Sequence, residues 1–169
     1  MKLHRSIAAA IALLLLTAAG AHAAIKSGLD KQYLTTAIQG DRFEITGGKL
    51  AQSKGQNAKI KALGARLVKD HTKSLKDAEA LARKLGISPP KSATPSQRWQ
   101  LQMLATLSRQ SFDHWYASLE VADHHQDITE AADEVTDGAN RQVRSTAHSE
   151  IPTLRTHLRL SEDALKAVG

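Results

Sequence analysis

Residues 57–86, NAKIKALGARLVKDHTKSLKDAEALARKLG, decide the fold class. Ile60, Leu63, Leu67, His71, Leu75, Ala78, Ala82 and Leu85 recur at three- and four-residue steps, the spacing of one helical face and not of a strand. Asn57 suits an N-cap, because its side-chain oxygen can accept from the first unpaired N–H groups of a helix. Gly86 suits the left-handed residue that closes one, and Ile87 the apolar residue that follows. The segment therefore reads as a helix over about 58–85.

The same period extends on both sides. Upstream, a helix over about 29–53 places Leu34, Ala37, Ile38, Ile45 and Gly48 on one side and ends in the turn Lys54-Gly55-Gln56-Asn57. Downstream, Ser88-Pro89-Pro90 cannot continue a helix, since proline lacks the N–H and restricts the residue before it. Thr94-Pro95-Ser96-Gln97 is a capping box with proline at the first helical position, and it predicts a third helix over about 95–136. Its apolar stripe runs through Leu101, Leu104, Ser108, Phe112, Trp115, Leu119 and Ala122, with Trp99, Phe112, Trp115 and Tyr116 read as core filler. Asp137-Gly138 breaks the chain, and Asn140 caps a fourth helix with Val143, Ala147, Ile151, Leu154, Leu158 and Leu165 on its seam and a kinking Pro152. Two short turns and one longer connection between amphipathic helices predict an all-α, antiparallel four-helix bundle.

The first 23 residues read differently. Lys2, His4 and Arg5 precede the apolar run Ile7 to Ala19 and the small-residue site Ala21-His22-Ala23, the layout of a cleaved signal peptide. The run is about thirteen residues, short of the roughly twenty that cross a bilayer. The expectation is a signal peptide over 1–23 and a single domain over 24–169, exported to the periplasm, with no transmembrane span in the mature chain.

Composition narrows the chemistry. The 169 residues contain no cysteine, which excludes disulfides, thiolate-bound metals and a thiol nucleophile. Gly-x-Ser-x-Gly, His-Glu-x-x-His and a glycine-rich phosphate loop are all absent, so no catalytic residue is assigned. Lys+Arg number 23 against 17 Asp+Glu, and a basic stripe (Lys59, Lys61, Arg66, Lys69, Lys73, Lys76, Arg83, Lys84) lies opposite the seam of the second helix. It is a solvated face, or else a contact for anionic envelope lipid or polymer. Export and 4% aromatic residues argue against nucleic acid as partner.

What remains is a set of ionisable residues on helical seams. At about 100° per residue, Glu44 falls inward on the first helix, His71 in mid-seam on the second, and Glu150 and His157 on the inward flank of the fourth. On the third helix the wheel favours Asp123 and turns Asp113, Glu120 and His124 away from the apolar centre. Converging carboxylates and imidazoles suit a transition metal ion such as Fe, Mn, Zn or Cu. The Glu-x-x-His pair of di-iron proteins is missing, however. A buried hydrogen-bonded network, with Glu44 paired to His71, is the other reading.

Several segments carry a resemblance to a known family. They are Gly40-Asp41-Arg42-Phe43-Glu44 with Gly48-Lys49-Leu50-Ala51; Val68-Lys69-Asp70-His71-Thr72 with Leu81-Ala82 and Leu85-Gly86; Phe112-Asp113 with Tyr116; Ala122-Asp123-His124; and Ile151-Pro152-Thr153-Leu154 with His157-Leu158. In this order the chain, over about 30–166, resembles a family of exported bacterial proteins classed as a domain of unknown function, ferritin-like in fold and often labelled membrane or outer-membrane proteins. The resemblance implies polar positions at Glu44, Asp70, His71, Asp113, His124 and His157, and implies no reaction. The metal candidates are Glu44, His71, Asp113, His124 and His157. The functional expectation is a non-enzymatic exported helical protein acting through its surface, with a metal-binding or metal-dependent redox protein as the alternative.

Overall fold

The computed structural model describes residues 28–169, so the expected signal peptide lies outside the described residues. Five helices follow one another: α1 (Gly28–Lys54), α2 (Ala58–Lys84), α3 (Pro95–Thr106), α4 (Arg109–Asp137) and α5 (Arg141–Lys166). No strand occurs among the described residues, and no described helix is long and apolar enough to cross a membrane. The start signals act as expected. Asn57 accepts from the Lys59 N–H at 2.8 Å, Thr94 and Gln97 form the reciprocal capping box, and Asn140 accepts from Gln142 N–H at 2.9 Å. Gly86 takes φ 78° at the end of α2.

One boundary departs from expectation. The helix expected over 95–136 is two helices, interrupted at Leu107 and Ser108, and Arg109 opens α4 with φ 55°, in a region that non-glycine residues seldom adopt. The interruption resets the helical phase. The buried face of α4 is Phe112, Asp113, Tyr116, Ala117, Glu120, His124, Ala131 and Glu134. Trp115, expected in the core, is 57% exposed, and Trp99 on α3 is 61% exposed.

The three-residue turn after α1 folds α2 back along it, the turn after α4 does the same for α5, and α1 also packs on α4 and α2 on α5. Arg42 of α1 pins the intervening connection by donating to the Pro90 carbonyl at 3.0 Å, while pairing with Glu79 of α2. Two large apolar clusters fill the interior, beside a smaller one of Phe43, Ala93 and Leu101. One joins Leu34, Ile38, Ala78, Ala131, Val143 and Ala147; the other joins Ala51, Ile60, Leu67, Phe112, Tyr116 and Ala164. Between them, in the middle of each long helix, the buried residues are ionisable: Asp41 and Glu44, His71, Glu120 and His124, and His157. A layer of this kind opposes folding unless its groups are paired or neutral. The basic residues of α2 face solvent as expected, and Arg66, Lys73 and Arg83 pair with Asp70, Asp77 and Glu79.

A separate acid pair closes the α4–α5 turn. The Asp30 carboxylate accepts from the N–H groups of Ala139 and Asn140, both at 3.0 Å, and buried Glu134 lies beside it. Burial and the neighbouring Asp30 push Glu134 up to about 7 from an ordinary value of 4.5. The folded chain thus holds a proton that the unfolded chain has already released. This stabilising contribution is complete below about pH 4.5 and is lost as the pH rises through about 7. Glu134→Gln, which keeps a donor toward Asp30 at every pH, should melt a few degrees above wild type at pH 8 and level with it at pH 4.

Candidate metal centre

Three imidazoles meet in the polar layer, and each is held at one ring nitrogen. On α2, His71 Nδ1 lies 2.8 Å from Asp41 Oδ1 of α1. On α4, His124 Nδ1 lies 2.8 Å from the carbonyl of Glu120 one turn earlier, a contact that requires the proton on Nδ1. On α5, His157 Nε2 lies 2.9 Å from Asp70 Oδ2, itself paired with Arg66. The opposite nitrogens, His71 Nε2, His124 Nε2 and His157 Nδ1, are buried without a hydrogen-bond partner among the described residues. Ring centroids stand 5.1, 5.2 and 5.8 Å apart, and one ring nitrogen from each residue lies within 4.8 Å of the other two.

Carboxyl groups adjoin the imidazoles. Glu44, Glu120 and His124 also bring one donor atom each to within 4.8 Å of one another. Both Glu44 oxygens, Glu120 Oε2 and Asp123 Oδ2 are buried with no N–H or O–H of the described residues donating to them. Burial, then the charges of Glu120 and Asp123, raises Glu44 well above the carboxylate range. Glu120 is pushed up to about 7, chiefly by burial. The carboxyl cluster is therefore short of positive charge and holds protons in its place.

The imidazoles divide. Burial, reinforced by His71, pushes His124 down to about 3. Burial also takes His157 down to about 4 against the opposing Asp70. Both rings are neutral near pH 7 and offer lone pairs. For His71, burial acts downward but the bond and charge of Asp41 outweigh it, raising its pKa. An imidazole fixed through its far nitrogen by a carboxylate or carbonyl is the usual support of a metal-binding histidine, and all three rings have one.

Of the five residues expected to bind metal, four are brought together: Glu44, His71, His124 and His157. Asp113 is not. It is buried, but its carboxylate accepts from the N–H groups of Gln56 at 3.0 Å and Asn57 at 2.7 Å, tying α4 to the turn that starts α2. The expected pair of Glu44 with His71 is also replaced. Asp41, three residues earlier on α1, reaches His71, while Glu44 is turned toward Glu120 and Asp123 of α4. Glu120 and His124, expected outward, are 1% and 0% exposed because α4 starts in its own phase. Asp113→Ala should cost about 1–2 kcal/mol in urea unfolding, within the range for removing an acceptor from its donors, here partly buried, and leave any metal uptake at the wild-type level.

The fold has a close counterpart among solved structures. The crystal structure of a DUF305 fragment from Deinococcus radiodurans superposes with a TM-score of 0.73, covering 83% of this chain and 97% of that one at 15% identity. At that identity the likeness concerns the fold alone. No curated protein matches the chain. The sequence pattern of the family described as a domain of unknown function, DUF4142, matches residues 15–163, and the chain belongs to that family.

Proposed function

We propose that this protein is an exported, non-enzymatic metal-binding protein, a ferritin-like four-helix bundle of α1, α2, α4 and α5 that holds one transition metal ion through His71, His124 and His157. The observation that carries this reading is the convergence of three buried imidazoles, each with one ring nitrogen unpartnered and the other fixed. Three nitrogens without a thiolate suit a borderline first-row divalent ion, Zn²⁺ or Cu²⁺. Glu44 and Glu120 supply the negative charge that balances it, and their protons leave as the cation arrives. The signal-like segment over residues 1–23 supports export.

The ion count follows from His124. It belongs to both donor triads, yet only its Nε2 is free, because Nδ1 faces the Glu120 carbonyl. One lone pair serves one ion, so the two triads do not fill together. Calorimetric titration of metal-free protein with Zn²⁺ should give one equivalent per chain, release protons to the buffer and raise the melting temperature. No binding heat and an unchanged melting temperature would overturn the reading.

A further inference from the structure

A cleft of about 460 Å³ runs between α2 and α5, floored by α1 and α4. Of the residues in the metal centre, His71 and His157 border it; His124, Glu44 and Glu120 do not. An ion arriving from solvent along this cleft would meet His71 and His157 first and reach His124 behind them.

The charge of the cleft opposes that of the chain. The full sequence has a formal net charge of +6, whereas the cleft wall carries six acidic side chains, of which burial raises Asp127 well above the carboxylate range, against two cations, Arg66 and Lys73. Both cations are neutralised locally, Arg66 by Asp70 and Lys73 by Asp77. Asp41, Asp127, Glu130 and Glu150 are left on the wall with no lysine or arginine ion pair among the described residues. A negative channel with low-dielectric walls concentrates cations and speeds their capture.

A second, independent feature points to a cation. Asp41 is 4% exposed and lines the cleft, and its Oδ2 has no hydrogen-bond partner among the described residues while Oδ1 holds His71. Glu150 is positioned from both sides, accepting from the Tyr33 hydroxyl at 3.0 Å and from Ser74 at 3.1 Å. The positioned acids Glu150 and Asp41 thus line the way from solvent to His71 and His157.

We propose that the cleft between α2 and α5 is the route by which a divalent cation enters and leaves the three-histidine centre, with Glu150 and Asp41 passing it inward. This rests on the metal-binding reading above. Co²⁺ serves as the probe, because its visible absorption reports coordination, and stopped-flow mixing with the full chain gives the loading rate. Thr153 lies exposed on the cleft wall. Thr153→Trp should slow both loading and chelator-driven release about tenfold or more and leave the bound fraction at saturation unchanged. Glu150→Gln should lower the loading rate and flatten its dependence on ionic strength, since electrostatic capture weakens with salt. Ala122→Trp, on an exposed face of α4 away from the cleft, is the bulk control and should load at the wild-type rate.

If Glu150→Gln does not fold, Thr153→Trp and the salt dependence of the wild-type rate decide the matter. Wild-type loading rates in Thr153→Trp, or a wild-type rate indifferent to salt, would overturn the route while leaving the metal centre standing. Failure of the wild-type protein to bind Co²⁺ and Zn²⁺ at all would overturn the centre itself.

Discussion

His124→Ala is expected to weaken Zn²⁺ binding by more than about 100-fold, since loss of a mere supporting partner already costs roughly 10–100-fold, and to eliminate the rise in melting temperature that the ion confers. The size of the effect comes from position. His124 is fully buried, its Nδ1 is committed to the Glu120 carbonyl, and it is the one residue common to both donor triads. Without it, His71 and His157 form one two-donor half and Glu44 and Glu120 another. His71→Ala should be milder, because the triad of Glu44, Glu120 and His124 survives; the ion then moves toward oxygen donors, which a shifted Co²⁺ spectrum would register. His125→Ala, next in the chain but exposed, is the control and should bind as wild type does. Equal affinity for wild type and His124→Ala would remove this residue from the ligand set.

A zinc ion at the proposed centre would have to draw the rings inward. A tetrahedral zinc site with bonds of about 2.0–2.1 Å spaces its nitrogens about 3.3 Å apart, and the triad now spans up to 4.8 Å. His157 has the freest adjustment, since its partner Asp70 is on the rim and is tethered to the exposed Arg66. His71 and His124 are anchored deeper. Loading should accordingly change the environment of α5 more than that of α4.

How much of this was legible depended on whether a helix kept its apolar period through the polar layer. In α2 it did: Ile60, Leu63 and Leu67 lead to His71 and on to Ala78 and Ala82, so the histidine stood out as an interruption of a clear seam. α5 was readable for the same reason, with Val143, Ala147 and Leu154 framing His157. In α4 the core face itself carries Asp113, Glu120, His124 and Glu134, and hydrophobicity alone ranks such a face as solvent-facing. The break at Leu107–Ser108 compounded the problem, since neither glycine nor proline marks it. A wheel carried forward from Leu101 and Leu104 centred the buried face on Trp115 and left Tyr116 on its flank, whereas Tyr116 is fully buried and Trp115 exposed, a rotation of about 100°. The family pattern, which picks out Asp113 and His124, agreed with the structure on their burial and not on a shared role, because Asp113 serves a turn. Asp41 was missed for want of a seam signal; only its contact with His71 reveals it.

Gly64→Ala carries the largest expected loss of stability, about 2–3 kcal/mol, at the upper end of the usual range for overpacking. α1 and α2 touch backbone to backbone at Gly48 and Gly64. A Cβ on Gly64 would lie 2.6 Å from the Gly48 carbonyl oxygen and 2.7 Å from Ala51 Cβ, and a Cβ on Gly48 would lie 2.7 Å from the Gly64 oxygen. Backbone atoms cannot rotate aside, so the added methyl can be housed only by separating the helices. Alanine's better helix propensity returns roughly 0.5–1 kcal/mol, too little to reverse the sign. Gly40→Ala is the matched control, for its Cβ would meet nothing nearer than an Asp127 oxygen at 4.0 Å; there the propensity gain should appear as a small stabilisation. The consequence reaches the proposed metal centre. Seven residues before Gly48 on α1 stands Asp41, and seven after Gly64 on α2 stands His71, so the close contact sets the gap that the 2.8 Å Asp41–His71 bond spans. Gly64→Ala should therefore lower the melting temperature of the metal-free protein by about 5–10 °C and weaken Zn²⁺ binding as well. A variant that unfolds at the wild-type urea midpoint would mean that the helices separate at no cost, and the spacing of the site would then need another cause.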